Sequence, residues 1–245
     1  MTTAISTDEL NQTFKGLSLE TSLEKITDVF DGQKIVFSSS LGLEDQVITD
    51  AIFKQNLAIK VFTLDTQRLF KETLDLIEQT EKKYQKTIVR YTPNQQAVKA
   101  YTQTEGLNGF YESIEKRKKC CYIRKIEPLN RALKGANIWI TGIRQEQSAF
   151  RKSMPLFEYD SERDLIKFNP LLAWTTEQLW ETIHTNKIPF NPLHQKGYPS
   201  IGCEPCTRAI KPGEDERAGR WWWENQDQTQ QECGLHVPLK TIKEA

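Results

Sequence analysis

Apolar residues recur at helical spacing through residues 8–30, after which the pattern changes. One or two amphipathic helices are predicted there by six positions: Leu10, Phe14, Leu17, Leu23, Ile26 and Phe30. Further along, short apolar runs alternate with helical patterns, and these runs cover residues 34–38, 59–64, 87–91, 137–141 and, more weakly, 165–168. Alternating strands and helices are typical of βαβ units. We therefore predict an α/β fold with a doubly wound, mainly parallel sheet.

Ligands of such sheets bind beyond the carboxyl ends of the strands, so the loops that follow the predicted strands are candidate binding loops. The first loop places Ser38, Ser39 and Ser40 ahead of a predicted helix, where backbone N–H groups and the helix dipole favour an anion. This loop lacks both the Walker A spacing and the Gly-x-Gly-x-x-Gly pattern. On its own it is a weak indication of a nucleotide site.

Regular periodicity ends after about residue 185, and the last twenty residues are polar. We expect one α/β domain over residues 1–223 and a mobile C-terminal tail over residues 224–245.

Composition narrows the class of protein. Lys and Arg together number 33, as do Asp and Glu, so the net charge is zero and no nucleic-acid partner is indicated. No stretch approaches 18 apolar residues and the N-terminus lacks a signal-peptide pattern, so we expect no membrane association and a cytoplasmic location. In a reducing compartment the five cysteines do not predict a disulfide framework.

Four of the five cysteines form two close pairs, Cys120 with Cys121 and Cys203 with Cys206. Four thiolates bind structural zinc in many proteins, but consecutive cysteines rarely place both sulfurs correctly on one tetrahedral ion. In a cluster of several irons, neighbouring thiolates bind different irons, so the pattern favours a 4Fe-4S cluster, with zinc as the alternative. Lys125 lies one helical turn beyond Cys121, where a cation counters the negative charge of a thiolate-bound cluster.

The remaining candidates are basic residues and one thiol. Arg144 follows the fourth predicted strand, and Arg217 and Arg220 are three residues apart, which on a helix allows both to bind one oxyanion. Cys233 lies in the polar tail with His236 three residues further on, which is the setting of a reactive thiol. An incidental surface cysteine and a fifth metal ligand are the other interpretations of Cys233.

Together these motifs resemble the assimilatory adenylyl-sulfate reductase family, whose members depend on thioredoxin and are related to the nucleotide α-hydrolases. The resemblance covers nearly the whole chain and implies a sheet of the adenine nucleotide α-hydrolase-like type. The matching segments are Ser38–Asp45, Leu64–Thr66, Arg68–Thr73, Cys120–Lys125, Thr141–Ser148, Cys203–Cys206, Arg217–Trp221 and Glu232–His236.

The resemblance also implies a reaction and roles for the residues. Cys233 would attack the sulfur of adenylyl sulfate, AMP would leave, and thioredoxin or a glutaredoxin-like reductant would release sulfite from the resulting thiosulfonate. Lys125 and His236 are the other catalytic candidates. The implied cluster ligands are Cys120, Cys121, Cys203 and Cys206, and the implied substrate contacts are Ser38, Ser39, Ser40, Leu64, Asp65, Thr66, Arg144, Arg217 and Arg220. We also expect a homo-oligomer.

Three other functions stay open at this point. The same mechanism serves 3′-phosphoadenylyl sulfate in some relatives, although members with both cysteine pairs mostly use the unphosphorylated substrate. An adenylating or thiolating enzyme that acts on RNA also fits such a sheet with a cluster. A zinc-stapled binding module without catalysis is the third alternative.

Overall fold

The computed structural model describes residues 5–224, and every structural statement below concerns those residues. Within them, helices and strands alternate along most of the chain. The helices are α1 (Thr7–Thr13), α2 (Leu19–Val29), α3 (Leu43–Lys54), α4 (Lys71–Tyr84), α5 (Gln95–Glu105), α6 (Ile114–Cys121), α7 (Glu127–Leu133) and α8 (Thr176–Thr185). The strands are β1 (Ile35–Ser38), β2 (Ile59–Leu64), β3 (Val89–Tyr91), β4 (Ile138–Ile140), β5 (Phe157–Asp160) and β6 (Leu165–Phe168).

These strands form one sheet in the order β3–β2–β1–β4–β6–β5. Strand β1 pairs in parallel with β2 and with β4, and β4 pairs in parallel with β6. Strand β5 runs antiparallel to β6. The mostly parallel sheet with helices between its strands confirms the predicted fold class.

Strand β5 is the element that the sequence pattern missed. It lies at the edge of the sheet, with Phe157 opposite Phe168 on β6. A tight loop joins the two strands, in which the Asp160 carboxylate accepts the backbone N–H groups of Glu162 and Arg163 at 3.1 and 3.2 Å. Four residues that include two acids are a weak strand signal, so the Asp-rich turn was the better indication of this hairpin.

The predicted helical stretch over residues 8–30 forms two helices because a second capped start interrupts it. Ser6 caps α1 by accepting the backbone N–H of Glu9, and Ser18 caps α2 by accepting that of Thr21. Leu17 lies between the two helices and is 36% exposed, so it is not part of the buried stripe.

The core is built on both faces of the central strand. Val36 and Phe37, which successive positions of β1 direct to opposite faces, are both fully buried. On one side, Phe14 from α1 meets the rings of Phe157 and Phe168 edge-on, and those two rings stack with centroids 4.3 Å apart. These aromatic contacts fix the N-terminal helix against β5.

The described chain divides into two compact units, each assembled from separate stretches. The first contains the chain up to Phe62, Asp75–Val89 and Gly135–Asn191, and it holds the large apolar core. The second contains Thr63–Leu74, Arg90–Lys134 and the chain from Pro192, and it holds a smaller cluster of aromatic and cysteine side chains. The single domain expected over residues 1–223 stays a prediction.

None of the helices within residues 5–224 is long and apolar enough to cross a membrane. The expected mobile tail, apart from Glu224, lies outside the described residues, and so do Cys233 and His236.

Candidate functional site

All four paired cysteines line one cavity in the second unit. Cys203 and Cys206 are buried, Cys120 and Cys121 are half-buried, and none of the four forms a disulfide. The space between the lining side chains is about 380 Å³, counting the part that is open to solvent. The sequence therefore identified the members of this site, although its two halves are far apart along the chain.

The helix that carries the first pair changes its winding at the cysteines. Cys120 and Cys121 end α6, and a π-helical turn over Tyr122–Ile126 follows before α7 begins. Such turns are rare and occur mostly at functional sites, because they redirect side chains away from ordinary helical spacing. Lys125 lies in this turn and lines the cavity together with the cysteines.

The second pair sits on a short 3₁₀ turn over Glu204–Cys206 that backbone contacts hold in place. The Glu204 N–H donates to the Arg68 carbonyl at 2.8 Å, and the Cys206 N–H donates to the Cys203 carbonyl at 3.0 Å. The Tyr111 hydroxyl donates to the Pro205 carbonyl at 2.6 Å. These bonds fix the direction of both sulfur-bearing side chains.

Polar groups of the second unit also reach the sulfurs. The Cys203 thiol donates to the Thr66 hydroxyl oxygen at 3.3 Å, and Arg124 lines the cavity together with Cys120, whose pKa its charge lowers. Arg124 is itself held by the Thr66 carbonyl, which accepts from its Nη1 at 2.8 Å. Thr66 was predicted from sequence as a nucleotide contact, and the structure places its side chain beside a cysteine.

Burial and mutual repulsion make this cavity a poor place for free thiolates. Burial, together with the charges of Cys203 and Cys121, raises the pKa of Cys206 to about 12, although the charges of Lys125 and Arg220 lower it. Burial also raises the pKa of Cys120. Thiols in this setting ionise when a metal binds them. Four basic residues line the same cavity and offset negative charge there: Arg68, Arg117, Arg124 and Lys125.

The arrangement does not match a site for one ion. Among residues 5–224, no three or more His, Cys, Asp or Glu side chains are grouped so that they could hold a metal ion. Structural zinc needs four ligands around a single centre, whereas each thiolate of an iron–sulfur cluster binds its own iron. The four cysteines line the same cavity, so they are candidate ligands of a common group.

Arg217 and Arg220 lie on a turn, so the helix face that their spacing suggested is absent. The Arg220 N–H donates to the Arg217 carbonyl at 2.8 Å, and Arg220 then forms an isolated bridge with Thr207. Both arginine side chains are buried, and the Arg220 guanidinium lies 5.0 Å from the centre of the Trp221 ring. A Cβ added to Gly202 would lie 2.3 Å from Arg220 Nη2, so this backbone closes directly on the guanidinium.

In the first unit, the loop after β1 is hydrogen-bonded to the carboxyl group of Asp45. Asp45 is buried, and its Oδ2 accepts both the backbone N–H and the hydroxyl of Ser40, the latter at 2.7 Å. Ser38 accepts from the Trp139 indole at 2.8 Å, and Ser39 accepts the N–H of Leu41 at 3.2 Å. Part of the donor set that we predicted for a bound anion is therefore committed to Asp45.

Asp45 also explains the glycine that follows β4. A Cβ on Gly142 would lie 2.1 Å from Asp45 Oδ1, so no other residue fits there without moving the carboxyl group. Burial raises the pKa of Asp45 to about 7, while the Ser40 hydrogen bonds lower it and the charge of Glu44 raises it.

Arg144, predicted as a substrate contact, is fully engaged within the first unit. Its Nε donates to Glu44 Oε1 at 2.8 Å and its Nη1 to Glu146 Oε2 at 2.9 Å. Nη1 also donates to the Trp174 carbonyl and Nη2 to the Thr176 hydroxyl. With a side chain only 3% exposed, Arg144 joins the loop after β4 to α3 and α8. Its role toward a substrate stays a prediction.

The sequence analysis overlooked Arg117, which lines the cysteine cavity, and its partner Glu224. Arg117 precedes Cys121 by four positions on α6, and Glu224 binds its guanidinium at 2.6 and 2.9 Å. The helical spacing from Cys121 was an available signal for Arg117. Glu224 had no comparable signal, because it approaches α6 only through the fold.

Comparison with known proteins gives consistent matches. The family model for the phosphoadenosine phosphosulfate reductase domain matches residues 34–209. An adenosine 5′-phosphosulfate reductase from Agrobacterium fabrum is 54% identical over 231 residues, which cover 94% of this chain and 87% of that protein. Another from Allochromatium vinosum is 52% identical over 202 residues, covering 82% and 78%. A crystal structure of phosphoadenylyl-sulfate reductase from Candida auris has a TM-score of 0.72 at 27% identity and covers 86% of this chain and 98% of that one.

We predict that Arg144→Ala lowers the free energy of unfolding by about 3–5 kcal/mol, because it leaves the partly buried carboxylate of Glu44 without its cation. Urea denaturation without any ligand measures this. Lys152→Ala, an exposed basic residue in the following segment, serves as the control and should change stability by less than about 0.5 kcal/mol. Equal stability of the two variants would show that Arg144 is not a structural residue.

We also predict a pH-dependent effect of Asp45→Asn. The raised pKa means that the folded protein keeps Asp45 protonated, so its contribution to stability is complete below pH 4 and is lost as the pH rises through about 7. Relative to the wild type, the asparagine variant should therefore gain on the order of 4 kcal/mol between pH 4 and pH 8. Urea denaturation at both pH values tests this, and a difference between the proteins that does not change with pH contradicts it.

Proposed function

Because the chain belongs to the phosphoadenosine phosphosulfate reductase family, we propose that it is an oxidoreductase that converts adenosine 5′-phosphosulfate (adenylyl sulfate) to sulfite and AMP in sulfate assimilation. The observation that carries the proposal is 54% identity across 94% of the chain to a reductase of that name. The cavity that collects both cysteine pairs supports it, since the motifs behind the family resemblance include those pairs.

The proposed cofactor is a 4Fe-4S cluster bound by Cys120, Cys121, Cys203 and Cys206. When bound, the cluster supplies four irons, each of which takes one thiolate, so that the two cysteine-bearing segments are tied together. One feature favours it over zinc: Cys120 and Cys121 are adjacent, and consecutive cysteines rarely place both sulfurs correctly on one tetrahedral ion. The four cysteines also line one shared cavity. The basic side chains around the cavity would balance the negative charge of the ligated group.

The proposed chemistry centres on Cys233, which lies outside the described residues. Its thiolate attacks the sulfur of the substrate, the bond from that sulfur to the phosphate oxygen breaks, and AMP leaves with the bonding electrons. A thiolate of reduced thioredoxin, or of a glutaredoxin-like protein, then attacks Cys233 and displaces sulfite. The second thiol of that protein resolves the mixed disulfide, so the dithiol supplies both electrons and Cys233 returns as a thiol.

The remaining residue roles belong to the same proposal. Lys125, Arg217 and Arg220 in the second unit are cations that would stabilise charge developing on the sulfate and on the leaving phosphate. His236 is proposed to assist Cys233. In the first unit, Ser38, Ser39, Ser40 and Arg144 are the proposed nucleotide contacts, and the hydroxyl oxygens of Ser38 and Ser39 each accept one N–H group of that unit. Leu64, Asp65 and Thr66 complete the predicted set.

A second substrate deserves a direct comparison because the similar Candida auris structure is a reductase of the 3′-phosphorylated nucleotide. We propose that this chain prefers the unphosphorylated nucleotide, in line with the names of the relatives at 52–54% identity. Competition between the two nucleotides should give a kcat/KM at least about tenfold higher for adenosine 5′-phosphosulfate. Equal use of both would overturn the substrate assignment and leave the mechanism standing.

We predict that purified protein with adenosine 5′-phosphosulfate and reduced thioredoxin forms sulfite and AMP. Cys233→Ser should keep its metal content and nucleotide binding and lose both sulfite formation and the protein-bound sulfonate, because a serine hydroxyl cannot form that adduct. Sulfite assays and mass spectrometry of the intact protein measure the two losses. Thr229→Ser, which introduces serine into the same segment, is the control and should behave as the wild type. Turnover by Cys233→Ser at the wild-type rate contradicts the proposed role.

A further inference from the structure

Arg117 is a buried arginine in the helix that ends at the adjacent cysteines. It lies on α6, one helical turn before Cys121, and its side chain is only 3% exposed. A guanidinium keeps its charge at any physiological pH, so burying one is costly unless strong partners surround it. The partners of Arg117 therefore indicate what the charge is held for.

The first partner is Glu224, which binds the guanidinium through two parallel hydrogen bonds. Arg117 Nε lies 2.6 Å from Glu224 Oε1, and Nη2 lies 2.9 Å from Oε2. The Trp221 ring covers the guanidinium, with Cζ 4.5 Å from the ring centre. Bidentate pairing and stacking together fix the plane of the guanidinium.

The second neighbour of Arg117 is Cys121. It lies one helical turn beyond Arg117 on α6, and both residues line the cysteine cavity. Nε and Nη2 are the nitrogens engaged by Glu224, which leaves Nη1 uncommitted to that carboxylate. Glu224 thus holds the charged guanidinium of Arg117 at the wall of the cavity that Cys121 also lines.

Stability alone does not account for this arrangement. Replacing a buried ion pair by apolar residues is often neutral or stabilising, because desolvation cancels much of the attraction between the charges. Arg208 and Glu214 in the same unit form a similar bidentate pair at 2.8 and 3.0 Å, but their side chains are about 30% exposed and neither lines the cavity. The buried pair differs from the exposed one because its arginine lines the cysteine cavity.

We propose that Arg117 is a positioning residue for the cluster, that it donates a hydrogen bond to the thiolate of Cys121, and that Glu224 holds it in the required orientation. This inference rests on the proposed 4Fe-4S cluster and goes beyond it by assigning a function to two residues that are not ligands. A donor to a ligating sulfur stabilises the more negative, reduced state and tightens the attachment of the ligand. The consequence is slower loss of iron and a higher reduction potential.

The test compares cluster stability in four anaerobically purified proteins: the wild type, Arg117→Gln, Glu224→Gln and the control Arg208→Gln. Loss of the visible iron–sulfur absorption after addition of an iron chelator should be about tenfold faster in Arg117→Gln than in the wild type, as is typical when a partner of a metal ligand is removed. Glu224→Gln should lie between these two proteins, and Arg208→Gln should match the wild type. Redox titration should give a more negative potential for Arg117→Gln.

Arg117→Lys and circular dichroism guard against misfolding as an explanation. Lysine keeps the charge but cannot form two parallel hydrogen bonds to Glu224 and contact Cys121 at the same time. This variant should therefore lose iron faster than the wild type, while its helical circular dichroism signal stays unchanged. Equal chelation rates and potentials in Arg117→Gln and Arg208→Gln would overturn the inference and leave the proposed function intact. A wild-type protein that takes up no iron–sulfur cluster overturns the inference together with the proposed cofactor, whereas loss of Cys233-dependent turnover alone does not affect it.

Discussion

The cost of ionising cysteine thiols that are withdrawn from water is the constraint on which the second unit depends. Burial and neighbouring thiols raise the pKa of Cys206 to about 12, so the cysteines act as ligands only where positive charge compensates them. Several basic residues around the cavity supply this positive charge. Arg124 and Arg117 line the cavity with Cys120 and Cys121, and they are held there by the Thr66 carbonyl and by Glu224 respectively. The fold thus places polar and cationic groups around the cysteines without the help of a bound metal.

The first unit faces the same problem with a carboxyl group. Its buried carboxyl group, Asp45, is accommodated by the hydrogen bonds of Ser40 and by the missing side chain of Gly142. Glu44, beside it, is paired with the buried guanidinium of Arg144. Charged residues after β1 and β4 that a sequence motif would assign to a ligand are therefore also parts of the folded loops. A residue of a sequence motif can therefore stabilise its own loop, whether or not it also binds a substrate.

The sequence predicted those features that depend on local pattern. Alternating strands and helices indicated the parallel sheet, and the pairing of cysteines indicated which four would lie together, as the shared cavity confirms. Features that depend on tertiary contacts were not accessible. Strand β5 is too short and acidic to be recognised alone, the turn at Arg217–Arg220 replaces a helix because its backbone pairs with Thr207, and Glu224 meets Arg117 across 107 residues of chain. The spacing of residues along the sequence does not reveal contacts that form only in the folded chain.

The most direct measurement is the metal content of wild-type protein purified without oxygen. If Cys120, Cys121, Cys203 and Cys206 bind a 4Fe-4S cluster, the protein should be brown and contain about four irons and four acid-labile sulfides per chain, with no stoichiometric zinc. Quantitative iron, sulfide and zinc analysis of protein made with adequate iron gives the answer. One zinc per chain without iron–sulfur absorption would contradict the account of this cavity.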